Sequence, residues 1–318
     1  MQKMLVIAAG VIGAALLTGH ETRLEAQPPL VRQEIHTLAL SSPTLVALRK
    51  AVLAMKALPR TERRNWFFVA NIHGFPANPV TGEPLEPEDQ KVSPADRNTF
   101  WSTCQHASEF FLPWHRAELL MFERMVREFS GDPKFALPYW DAFANPKLPE
   151  AFRLATVDGK PNPLRIEDRG FGVNDGTTQV GQLPPGFGVP NALLAANYRG
   201  PRPNGFGGRG KHPNMTGRVK GFLESPAHDH VHGSLGGLMG DPDTAGRDPI
   251  FYLHHANIDR LWTVWRQNAK HVNPSDAWLK EPVVMPSHQA LPEVTFAAKG
   301  LVDTVALGYR YDNEQTAS

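Results

Sequence analysis

Cysteine is almost absent: Cys104 is the single one in 318 residues. No intramolecular disulfide can form, which excludes the disulfide-stapled scaffolds of small secreted domains. There is no surplus of charge either, since 33 Lys and Arg face 32 Asp and Glu. That balance removes the electrostatic footprint on which nucleic-acid binding rests, so nucleic acid is not expected as a partner. Long apolar runs are missing apart from Met4 to Leu17, just after Lys3. The run is shorter than the ~20 apolar residues that span a bilayer. With small residues near Ala26 it reads as an export signal over residues 1–26, a buried N-terminal helix being the alternative. Residues 27–318 are then expected as one domain, secreted or periplasmic, with no membrane attachment after cleavage. No repeat of ~20–50 residues is visible. The His-Glu-x-x-His helix of zinc hydrolases is also missing.

Apolar residues make up 41 % of the chain, enough for an ordinary core. Leu45, Leu48, Val52, Met55 and Leu58 recur at three- and four-residue steps and predict a helix from Pro43 to Leu58. Thr61 can cap a second helix, through Trp66, Phe67 and Val69 to His73, that Gly74 and Pro76 stop. Pro113 starts a third, carrying His115, Leu119, Phe122 and Met125. A fourth holds His228 and His232. A fifth follows Pro249 and carries His255, Ile258, Leu261 and Trp265. Pro138 to Gly221 is rich in Gly and Pro and reads as loop. The tail is strand-like at Val294–Phe296, Val302–Leu307 and Tyr309–Tyr311. The expected fold is mainly α, a four-helix bundle core with long Gly/Pro-rich loops and a few short strands.

Thirteen histidines are present and unevenly spread. His228 and His232 are four apart, so both rings project from one helical face, with His230 on another. His255 sits on the next helix, one turn before Asp259. Upstream, His106 and His115 are nine apart with Pro113 between them, which puts His106 on a loop and His115 in a helix. His73, at a helix end, can supply a third ligand, with His36 and His212 as substitutes. Two three-imidazole sites can face each other across a bundle, whose core commonly hosts metals. Spacing supports a metal site without choosing the metal.

The neighbouring residues go further. Phe111-Leu112-Pro113-Trp114-His115-Arg116 resembles the first copper-site hallmark of tyrosinases, catechol oxidases and molluscan haemocyanins, the type-3 dicopper family. Asp248-Pro249-Ile250-Phe251-Tyr252-Leu253-His254-His255-Ala256-Asn257-Ile258-Asp259-Arg260-Leu261-Trp262 resembles the second, and Glu224 to Gly233 resembles the histidine pair that precedes it. The resemblance spans about Arg32 to Tyr311. By position it implies one copper on His73, His106 and His115, and another on His228, His232 and His255, with His254 in a supporting role. Cys104-Gln105-His106 has the spacing at which fungal and molluscan relatives join cysteine to histidine by a thioether; a small buried residue is the alternative.

The resemblance further implies two copper ions with dioxygen as co-substrate and small phenols as substrates. O-diphenols would be oxidised to o-quinones, and monophenols hydroxylated at the ortho position. Glu224 matches an acidic residue that orients a phenol-deprotonating water, its alternative being a helix N-terminal carboxylate. Asp229 stands where many hydroxylating relatives carry asparagine; it can help a base or repel acidic substrates. Gly233 leaves room above the second copper. Phe251 resembles an aromatic residue overhanging the site, or packs in the core. Glu224 and Gly233 favour monophenol hydroxylation, Asp229 and Phe251 a pure catechol oxidase. An oxygen carrier of the haemocyanin kind would use the same ligands within a larger shielded assembly. Arg32 resembles the partner of the closing motif Gly308-Tyr309-Arg310-Tyr311. With so few residues after His255, no plugging domain is expected, and export and copper loading suffice for activity. A copper-delivery protein is compatible with all of this.

Overall fold

A computed structural model describes residues 28–183, 187–200, 205–210, 218–273, 280, 282–287 and 293–315. The expected export signal and His212 lie outside them. After a short strand β1 (Leu30–Arg32) comes helix α1 (Pro43–Ala57). Ser42 accepts the Leu45 amide at 3.3 Å, and Pro43 occupies the first helical position, where no N–H is missed. Helix α2 (Trp66–His73) starts at Asn65, not at the expected Thr61. The Asn65 carbonyl oxygen accepts the Phe67 and Phe68 amides, while its NH2 donates to the Leu58 carbonyl at 2.6 Å. One amide side chain thus closes α1 and opens α2.

Two short helices, α3 (Pro87–Gln90) and α4 (Pro94–Phe100), precede the long α5 (Phe111–Ser130). It starts two residues before Pro113, because none of the N–H groups in a first turn has a helical partner and proline fits there. Gly131, at φ 75°, ends it in the left-handed conformation that favours glycine. The Gly/Pro-rich stretch is mostly irregular, as expected. It holds only α6 (Glu150–Arg153), the hairpin β2 (Thr156–Val157) with β3 (Lys160–Pro161), and α7 (Val189–Leu193) among the described residues. Buried Arg169 pins this loop with two 2.7 Å bonds to the Asp248 carboxylate and one of 2.8 Å to the Phe152 carbonyl.

A π-helical turn, Leu223–His228, runs into α8 (Asp229–Leu235), and α9 (Ile250–Arg266) follows. Strand β4 (Pro282–Met285) pairs antiparallel with β5 (Val294–Ala297), and β6 (Tyr309–Tyr311) pairs parallel with β1. Val302–Leu307 is not a strand: Asp303 Oδ1 accepts the Val305 and Ala306 amides, and this side-chain turn overrides the β-branched composition. The fold is mainly helical with a few short strands. No helix among the described residues is long and apolar enough to cross a membrane. Helix α5 packs against both α1 and α9. The Phe122 ring, stacked on Tyr252 at 3.7 Å and meeting the Trp66 edge at 6.1 Å, joins α5, α9 and α2.

The β1–β6 pair carries a buried ionic cluster. The Arg32 guanidinium lies 3.7 Å over the Tyr309 ring, donates to Glu123 at 2.9 Å and reaches the Tyr311 hydroxyl at 3.0 Å. Both tyrosine hydroxyls donate to Asp259 Oδ2, at 2.8 and 2.6 Å, while Arg116 holds Oδ1. The expected clasp of Arg32 on the closing tyrosines is therefore present, and it reaches into α5 and α9. Arg32→Ala leaves buried carboxylates short of a partner and is expected to lower the unfolding free energy by about 3–5 kcal/mol. Denaturant midpoints measure this; a loss below about 1 kcal/mol would contradict it.

Candidate metal centre

His73 ends α2, and the chain turns away at Gly74, where a Cβ would stand 2.6 Å from the Pro242 carbonyl oxygen. Only glycine admits that approach, and it lets His73 Nδ1 donate to the same carbonyl at 2.9 Å. His106 lies in the loop before α5. The next residue, Ala107, has φ 47°, and its amide donates to Glu224 Oε1 at 2.7 Å. Arg218 adds a hydrogen bond to the Ala107 carbonyl at 3.2 Å. His115 sits in the first turns of α5 and donates from Nδ1 to Phe111 O at 2.7 Å. The three rings gather with centroids 5.0, 5.5 and 5.7 Å apart.

The second cluster forms around α8 and α9. His228 and His232, one turn apart, have centroids 4.4 Å apart. His255 Nε2 lies 3.3 Å from the Nε2 of each. His232 Nδ1 donates to Met239 O at 2.8 Å, and His228 Nδ1 meets Asp229 Oδ1 at 3.1 Å. The group of donors converging within 4.8 Å of one another is His228, His232 and His254, though the two ring nitrogens of His254 have no hydrogen-bond partner. The clusters touch where His115 stacks on His255, centroids 4.2 Å apart and planes at 12°.

A carbonyl can only accept, so in His73, His115 and His232 the proton is on Nδ1 and the Nε2 lone pair is free to bind a metal. Burial, reinforced by the neighbouring histidines, keeps His106, His115, His228 and His255 well below the usual imidazole range. The same causes lower His73 to about 3. These are neutral, directed donors. His73 Nε2 is buried with no partner in the protein, as a site prepared for an ion requires. The donor set fits a borderline metal such as copper.

A cavity of about 290 Å³ opens over His73, His106, His228 and His232. Gly233 lines it, and a Cβ there would meet nothing within 4 Å. Asp229 lines it too, held by Lys220 Nζ at 2.8 Å. Phe251 does not overhang it. The ring is fully buried, 4.3 Å from His255 and 4.9 Å from His73, because the second position of α9 faces the core. The wall is instead built by Met239, Gly240 and Pro242, with Lys220, none of which belongs to a motif. Cys104 is a free, buried thiol, its Sγ 3.4 Å from His106 Nδ1 and 3.4 Å from His115 Nε2. Glu224 is fully buried, and its Oε2 has no partner. Of the two candidate substitutes, His36 forms no part of either group of converging donors, and His212 lies outside the described residues; His230 is in neither group.

Two clusters of buried histidines on a mainly helical frame each offer converging donors for a metal ion. The family model described as the common central domain of tyrosinase matches residues 63–182 and 194–268. The chain is 32 % identical to tyrosinase HcTyr1 of Hahella sp. (strain CCB-MM4), covering 88 % of this chain and 62 % of that protein. It is 30 % identical to the chloroplastic (+)-larreatricin hydroxylase of Larrea tridentata, covering 86 % and 47 %. The crystal structure of Grenache (Vitis vinifera) polyphenol oxidase superposes with a TM-score of 0.69 at 26 % identity, covering 90 % of this chain and 85 % of that one. The chain belongs to the tyrosinase family, a dicopper family that includes the polyphenol oxidases. It spans less than two thirds of the length of the Hahella relative and about half of the Larrea one.

Burial pushes the Glu224 carboxyl up to about 8 from an ordinary 4.5. In the metal-free protein the unfolded chain therefore loses this proton near pH 4.5 while the folded chain keeps it. The contribution of Glu224 to stability is full below 4.5 and is lost as pH rises through about 8. Melting of metal-free Glu224→Gln should show a flatter dependence on pH across that window than the parent; identical slopes would contradict the assignment.

Proposed function

We propose that this chain is a copper oxidase of phenols that uses dioxygen to convert o-diphenols to o-quinones and also hydroxylates monophenols at the ortho position. The observation that carries this reading is the pair of neutral three-imidazole clusters stacked against each other through His115 and His255. We assign one copper to His73, His106 and His115 and the other to His228, His232 and His255, with α2, α5, α8 and α9 acting as the bundle that carries them. His255 is chosen over His254 because its Nε2 faces those of both His228 and His232. Bound copper supplies the redox chemistry that couples phenol oxidation to dioxygen reduction, and neutral imidazoles suit both its oxidation states.

The other residues handle access and protons. Gly233 keeps the open side over His232 free for a phenol ring. Glu224, with one oxygen tied to the Ala107 amide and the other unpartnered, can hold a water at Oε2 and take the phenol proton through it. Burial places its proton exchange near neutral pH. Cys104 is assigned as the thioether position, its sulfur within 4.0 Å of both ring nitrogens of His106. A second reading, oxidation of o-diphenols alone, is favoured by Asp229. Each of its oxygens already meets a partner, His228 for one and Lys220 for the other, which commits two of its acceptor sites away from Glu224.

Oxygen uptake tests the proposal. Copper-loaded protein should consume oxygen with 4-methylcatechol and with tyramine, and Glu224→Gln should slow the tyramine reaction by at least about 100-fold. Uptake with the catechol alone would select the second reading. Uptake with neither would overturn both.

A further inference from the structure

We infer that Lys220 is a specificity determinant of the cavity over the histidine clusters, selecting phenols that carry a carboxylate on the side of the ring away from the hydroxyls. The inference rests on the phenol-oxidase reading above and names its substrate class. Among the described residues, Lys220 is the one ammonium or guanidinium group that lines the cavity. Its Nζ donates to Asp229 Oδ2 at 2.8 Å and stands 3.9 Å from Glu224 Oε1, beyond hydrogen-bond reach. An ammonium has three N–H donors. The Lys220 side chain is 40 % exposed, so donors remain for an oxygen arriving from solvent.

Position and charge agree. His73 and His228 are buried at the floor, whereas Lys220 lies at the exposed rim. A ring that directs its hydroxyls to the histidines turns its far substituent towards that rim. The lysine is not on a loose strand: paired backbone bonds of 2.9 Å between Arg209 and Val219 fix the residue before it. Asp229, which alone would repel an anion, has one oxygen against His228 and the other on Lys220, so the pair adds no net charge and the remaining Lys220 N–H donors are what an arriving carboxylate meets. Gly233, Met239, Gly240 and Pro242 add no charge to the wall. Copper at the floor would add positive charge, and the cavity then favours a negative group at its mouth.

The test compares copper-loaded parent and Lys220→Met on dihydrocaffeic acid, dopamine and 4-methylcatechol, following oxygen uptake at low ionic strength. The ratio of kcat/KM for the acid over that for dopamine should fall about five-fold in the variant, the worth of a part-exposed ion pair. The change should lie in KM, and Lys220→Arg should keep the parent ratio. Added salt should lower the parent ratio towards that of Lys220→Met. An unchanged ratio in Lys220→Met, or a parent ratio indifferent to salt, would overturn the inference while leaving the phenol-oxidase reading in place. No uptake by the parent with any of the three would overturn both.

Discussion

Asp259 accepts from four donors taken from three parts of the chain: Arg116 on α5, Arg32 on β1, and the hydroxyls of Tyr309 and Tyr311 on β6. A carboxylate has about four lone-pair sites, so this buried group is fully satisfied, and each partner would be left exposed to the cost of burial without it. Its place on α9 is one turn after His255, and Arg116 follows His115 directly. The bond between Asp259 and Arg116 therefore holds together the two helices whose histidines stack at 4.2 Å.

Around that brace, the second constraint is that six imidazoles must stay neutral while buried together. Desolvation and mutual repulsion keep them unprotonated, and backbone carbonyls decide which nitrogen is free. Two of those carbonyls, Met239 O and Pro242 O, come from the one loop between α8 and α9. This loop orients a histidine in each cluster and also forms the cavity wall. Access to the site and the aim of its donors are thus set by the same few residues.

Much of this was legible in the sequence, for reasons that differ by residue. His115 and His255 lie on long helices, and His228 and His232 stand one turn apart where a π-helical turn runs into the short α8; in both settings helical spacing fixes the direction of a side chain. His106 and His73 sit on loop and helix end, and only their neighbours in the fold bring them together. The clasp of Arg32 on the closing tyrosines was also foreseen, but not that it ends on Asp259. The carbonyls of Met239 and Pro242 could not be foreseen, since any residue supplies a carbonyl. Lys220 has no motif, and its meaning comes from the fold placing it beside Asp229. Phe251 kept two readings, overhanging the site or packing in the core, because an aromatic residue in a site motif reads alike in either place; its ring is buried. Asn65 outcompeted Thr61 as a cap because the end of α1 needed a donor at the same point.

The central claim is that two separate trios of imidazoles each hold one copper. Crystals of copper-loaded protein, measured at the copper absorption edge, test it most directly through anomalous scattering. The account predicts two peaks per chain, one enclosed by His73, His106 and His115, the other by His228, His232 and His255. A single peak, or a second peak held through His254 in place of His255, would contradict it.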